Sequence, residues 1–391
     1  MLYQKSWARA WLGFGLVWFL GAIALAPSNK IYQQGIILFL WLPALVMAWS
    51  GRRVLVQAWR LQPALWISIS LLLAWSAISL TWSTTAEGGR DGKRLLYILL
   101  FLIAFPLLAQ AGLGRVRCLL QVGAGLLAVA ALASIVVFYG VHGRLWLARL
   151  QGIGEISHPI LGAYVIAAAV LCLLHNVPRQ RGAQLAWVLS LAALGAFVVL
   201  SQSRGAAVAL VLTVVARPLW YRSRQSQVFA GLAVVATGVA FYLMSAVILR
   251  RGASYRPEIF DAALQMIGQH PWSGLGLGTV YHVVVGRAQF DHTHNMFTHV
   301  AVELGIPGMM LWIAVWLFAF AEIVRARHTG IGKALLGLWL FSTLAMQFDA
   351  ASLTDTPRAE WFISWLPVGL VMLLPWVRAE NKACGKISGS T

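Results

Sequence analysis

Asp291-His292-Thr293-His294-Asn295-Met296-Phe297-Thr298-His299 runs on to Glu303-Leu304-Gly305-Ile306-Pro307-Gly308. Three of the nine histidines, an Asn and two carboxylates are packed into this stretch, and long apolar segments flank it on both sides. Ionisable groups are costly at a membrane boundary, so such a cluster marks a functional site and its flanks mark the fold.

Those flanks recur along the whole chain. Of 391 residues, 60% are hydrophobic and only 11% are charged, against about 25% charged in a soluble domain. Apolar runs repeat at roughly the 20 residues that cross a bilayer. The expected fold class is all-α, a polytopic membrane protein with about 12 transmembrane helices. They fall near 10–27, 31–49, 63–82, 95–111, 118–140, 158–175, 184–201, 205–219, 227–249, 297–320, 333–350 and 359–377. The seventh and eighth are separated only by Gln202-Ser203-Arg204, as in a tight hairpin or one broken helix. The organisation expected is helices over 1–249, one long structured outer loop over 250–296, helices again over 297–378, and a polar tail over 379–391. No cleavable signal peptide is expected, because the first apolar run leads into more spans.

A net charge of +18 would suggest nucleic acid for a soluble protein. Here it reads as loops that orient the chain and meet membrane lipids, with no nucleic acid partner. The heavier share of Lys and Arg places both termini inside. The outer face is still basic, and mostly through arginine: Arg90, Arg94, Arg144, Arg149, Arg204, Arg250, Arg251, Arg256, Arg287 and Arg358. Arginine suits bidentate contact with phosphates, so the outer ligand is expected to be anionic. Cys118, Cys172 and Cys384 have no ligand spacing.

The outer loop has a helix start at Arg256-Pro257-Glu258, an amphipathic run to Ile267, and a break at Gln269-His270-Pro271. Gly274 to Gly278 reads as tightly turned backbone. It is not a nucleotide loop, for it follows no strand and lacks a trailing Lys-Ser/Thr. In the opening stretch, Asp291 or Thr293 could cap the next helix. Asn295, His299 and Glu303 are then spaced to share one helical face. The chemistry that fits is a general base, His294 or His299, beside an anion site. A metal site from His292, His294, His299 and Asp291 is the rival, and interfacial histidines satisfied by water the bland alternative. Arg204, between Ser203 and Gly205, suits a buried phosphate. Arg256 is fixed by the helix it starts, and Arg149 with His158 forms a second outer polar loop.

These residues resemble the O-antigen ligases and, more widely, the ligase and polymerase superfamily of membrane glycosyltransferases. The matching motifs are Ser201-Gln202-Ser203-Arg204-Gly205-Ala206, Arg256 to Phe260 leading to His270-Pro271 and Gly274 to Gly278, and His294-Asn295 to Phe297 followed by Glu303 to Gly308. Gly152 to Gly162 follows the family pattern too, with Ile160 where the family has Asn.

The resemblance implies a GT-C-like fold in the bacterial inner membrane, with both termini cytoplasmic and the active site facing the periplasm. It implies transfer of O-antigen from undecaprenyl diphosphate to a sugar hydroxyl of lipid A–core, inverting, without metal or cofactor. His294 would be the base and Arg204, Arg256 and Arg149 would hold the diphosphate. Asn295, His299, Glu303 and His292 would orient the base or bind the acceptor. The alternatives are an O-antigen polymerase with the same donor and, in a different class, a transporter or flippase of lipid-linked glycan. Acidic residues are nearly absent from the spans, which argues against proton coupling.

Overall fold

The structure, a computed structural model, describes residues 2–250, 255–350 and 352–380. Arg251, Cys384 and most of the expected tail lie outside the described residues, as does the side chain of Arg250. The helices are α1 Leu2–Leu25, α2 Asn29–Ser50, α3 Arg52–Leu61, α4 Pro63–Ser79, α5 Gly88–Ala109, α6 Leu113–Val141, α7 Pro159–His175 and α8 Arg181–Leu200. After them come α9 Arg204–Ala216, α10 Arg224–Arg250, α11 Arg256–Gln269, α12 Met296–Arg325, α13 Gly330–Ala345, α14 Ala359–Val371 and α15 Leu374–Glu380.

A helix stands at each expected span. Among the described residues seven are long and apolar enough to cross a membrane, or nine if the bent pairs α3–α4 and α14–α15 each make one span. The architecture is that of a polytopic all-α membrane protein. α7 and α13 are apolar but have only 17 and 16 residues, about 25 Å at 1.5 Å per residue against a hydrocarbon core of about 30 Å. The count of about 12 spans therefore stays an expectation. α3 turns 102° into α4. Its arginines Arg52, Arg53 and Arg60 and its exposed Val56 and Trp59 give it the two-faced character of a helix lying along a membrane surface.

Local chemistry sets the helix starts. Pro63, Pro159 and Pro257 each stand in a first turn, where a missing N–H costs nothing. His158 caps α7, its Nδ1 accepting from Leu161 N at 3.3 Å. α9 follows α8 after the short turn through Gln202, where a hairpin would begin. The two splay, however, and α9 packs against α13 and α10 rather than back along α8.

α12 is two helices across a break at Gly305, whose φ is +69°. The residues behind it explain the glycine-rich stretch. Leu275 N donates to Val302 O at 2.9 Å, Gly276 N to Glu303 O at 2.8 Å, and Ile306 N to Pro271 O at 2.7 Å. Gly274 has φ +62°, and a Cβ there would run into the backbone of Glu303 and Gly305. The turned backbone expected at Gly274 to Gly278 thus docks the outer loop onto the broken helix. That loop holds α11, as expected. It also holds a feature the helical reading omits, an antiparallel hairpin of β1 Val283–Val285 and β2 Ala288–Phe290. Ile259, Tyr281, Val283 and Val302 make its own small apolar core.

Candidate active site

The N-terminal ends of α7, α9 and α12 and the C-terminal end of α13 converge with the loop that carries α11 beside a cavity of about 390 Å³. Arg149, Arg204, Arg256, Tyr255, Phe290 and His294 line it, and no acidic side chain does among the described residues. The structure brings the three arginines and His294 together at one cavity. Arg149 Nε donates to Ser201 O at 2.9 Å, and Arg256 Nε to Phe348 O at 2.9 Å. These bonds to main chain fix the planes of two guanidinium forks. Gly205 lets α9 approach closely, since a Cβ there would strike the Phe348 ring.

His294 is held by a residue that the sequence reading passed over. Asp349 Oδ1 lies 3.1 Å from His294 Nδ1 and 3.1 Å from His292 Nε2. The Asp349 side chain is 4% exposed. Burial alone would raise its carboxyl, but the hydrogen bonds and charge of His292 and His294 hold it well below the usual carboxylate range. An ionised Asp349 can only accept, so in the neutral ring the His294 proton sits on Nδ1 and the lone pair on Nε2. His292 differs. Its other nitrogen lies 2.8 Å from Asp291 Oδ1, so carboxylates face both sides of its ring. Burial would lower the His292 pKa, but Asp349 and Asp291 raise it above the ordinary imidazole value. The two rings approach to 4.0 Å between centroids. Two residues apart, they were expected to share a face only in extended chain. The φ of +52° at His294 is what turns both toward Asp349.

The helix cap is Asn295, not Asp291 or Thr293. Asn295 Oδ1 accepts from Phe297 N at 2.9 Å and Thr298 N at 3.2 Å, while its Nδ2 donates to Gln347 Oε1 at 2.8 Å. With φ −147° it stands outside α12, so it does not continue a helical face with His299 and Glu303. Those two line a second cavity of about 280 Å³, together with Asp91, Arg94, Asp291 and Asp355. His299 Nδ1 lies 2.5 Å from the Tyr281 hydroxyl, and Glu303 Oε1 accepts from Gly278 N at 3.2 Å. The stretch from Asp291 to His299 is thus a wall with a cationic cavity on one side and a mainly acidic one on the other.

The metal rival built from four residues does not come together, because His299 belongs to the second cavity. His292, His294 and Asp349 do have ligand atoms within 4.8 Å of one another and could hold a metal ion.

Residues 188–313 match the family model described as O-antigen ligase. The chain is also 27% identical over 383 residues to a protein named O-antigen ligase from Pseudomonas aeruginosa, covering 91% of this chain and 94% of that one.

The chain resembles the O-antigen ligases.

That similarity supports a role in the transfer of a lipid-linked glycan. The O-antigen ligase stretch holds Arg204, Arg256 and His294, while Arg149 and Asp349 are supplied from either side of it. The signal that could have found Asp349 is a lone acid closing an apolar run, at the same membrane level as the histidines.

Proposed function

We propose that the protein is an O-antigen ligase, transferring a glycan from undecaprenyl diphosphate to a sugar hydroxyl of lipid A–core on the periplasmic side of a bacterial inner membrane. The observation that carries this reading is His294, which lines the arginine cavity while its Nδ1 is bonded to a buried carboxylate. A carboxylate behind an imidazole fixes its tautomer and stabilises the imidazolium that forms. His294 Nε2 takes the proton of the acceptor hydroxyl, the oxygen attacks the anomeric carbon from the face opposite the leaving group, and the carbon–diphosphate bond breaks with inversion. The diphosphate needs charge stabilisation more than a proton. Arg204, Arg256 and Arg149 supply it as cations gathered at one cavity, where one such donor lowers the barrier by about 3–4 kcal/mol.

His292, held between two carboxylates, is the positioning partner of Asp349 rather than the base. Asn295 fixes the start of α12, and His299 and Glu303 contact the acceptor from the second cavity. No metal takes part, and both termini are cytoplasmic, with about 12 spans. Reconstitution with lipid-linked glycan tests the reading. Product on lipid A–core supports a ligase, product on a second glycan makes it a polymerase, and movement of donor without transfer makes it a transporter.

A further inference from the structure

The helices that present the candidate active site have a second set of ends, and these too gather ionisable groups. His175 closes α7, Arg217 follows α9, and Lys333 stands in the first turns of α13. Tyr221 joins them: its hydroxyl lies 2.7 Å from His175 Nδ1, its ring 4.3 Å under the Arg217 guanidinium and 5.5 Å from Lys333 Nζ. Arg217 is pinned by Nη2, which donates to Leu174 O at 2.9 Å, while Nη1 is buried and makes no well-aligned hydrogen bond. A buried guanidinium nitrogen left in this way is costly unless an acceptor reaches it. Among the described residues no acidic side chain lines this crevice or the one next to it, and the polar side chain beside the guanidinium is the Tyr221 hydroxyl.

The neighbouring crevice supplies the other half of the argument. It shares Leu171, His175 and Ala334 with the cationic one and is lined almost wholly by apolar side chains of α6, α7, α13 and α14, with Arg117 at its edge. A fixed cationic mouth opening on an apolar slot between membrane helices is complementary to a phosphodiester with acyl chains, not to a free ion, which would have no use for the slot. We infer that this end of the molecule is a binding site for an anionic phospholipid of the leaflet opposite the active site. Its phosphate bonds Arg217 and Lys333, and an acyl chain lies in the crevice beside Leu171.

The test uses the full-length protein in neutral detergent, with bound lipid counted by native mass spectrometry. Phosphatidylglycerol is expected to be retained at roughly tenfold lower concentration than phosphatidylcholine, because the choline ammonium of the latter is repelled by the same cations that bond its phosphate. Lys333→Gln and Arg217→Gln should each abolish that preference. Arg217 also holds the end of α7, so Lys333→Gln decides the matter if Arg217→Gln fails to fold. Equal retention of the two lipids, a preference unchanged in Lys333→Gln, or displacement of phosphatidylglycerol by millimolar inorganic phosphate would each overturn the inference.

Discussion

At the scale of single residues, the account turns on which histidine has a lone pair facing the arginines. His292 has carboxylates at both ring nitrogens, which favour its charged form, whereas His294 gives one nitrogen to Asp349 and lines the cavity with its ring. Asp349→Asn keeps the shape but removes the charge that sets the tautomer. Turnover should fall by about 10²-fold or more, with binding of donor little changed, measured as kcat against KM. The same substitution has a pH signature in stability. The lowered Asp349 pKa stabilises the fold above the unfolded carboxyl value near 4 and is lost as pH falls. The raised His292 pKa stabilises it below the unfolded imidazole value near 6.5 and is lost as pH rises. The pair contributes fully between about pH 4 and 6.5, so Asp349→Asn should lower Tm more at pH 6 than at pH 9. Arg204→Lys keeps a charge but loses the fork, and transfer should drop roughly 100-fold if it meets the diphosphate. Near wild-type turnover would remove Arg204 from that role.

At the scale of elements, the segment after α13 joins the site together. Met346 O accepts from Met296 N at 2.9 Å, Gln347 bonds Asn295, Phe348 O takes Arg256 Nε, and Asp349 takes both histidines. None of this was legible in the sequence. An apolar run over 333–350 places Asp349 in the last turn of a span, whereas α13 ends at Ala345 and leaves four residues free to turn inward. The arginines and His294 were legible because each stands at the boundary of an apolar run, where a charge needs a reason. The separation of His299 and Glu303 from His294 was not legible. It depends on the left-handed backbone at His294 and on an N-cap one residue later than the caps expected. The glycine loop behind the broken helix gives a prediction at this scale. Gly274→Ala should cost about 1–2 kcal/mol from its left-handed backbone alone, and more from the contact with Glu303 and Gly305. A lower Tm together with lost transfer is expected, because the second cavity is built on that junction.

At the scale of the whole molecule, the all-α membrane class and the helix beginning at Arg256 follow from hydropathy and from proline placement. The small hairpin and the short α7 and α13 do not, since length alone cannot distinguish a span from a buried apolar helix. The arrangement gathers a cationic cavity where the ends of several helices meet, and packs Trp312, Trp361 and Trp365 in the apolar core. If the arginines take the proposed role of neutralising a diphosphate, a chelator should leave transfer unchanged in the purified protein. Loss of activity restored by zinc would instead assign His292, His294 and Asp349 to a metal.

The most direct measurement is single-turnover transfer from undecaprenyl-diphosphate-linked glycan to lipid A–core by reconstituted His294→Ala, beside the unaltered protein. The account predicts that the donor still binds and that transfer falls by 10²-fold or more, the scale of a lost general base. Transfer at the unaltered rate would contradict it.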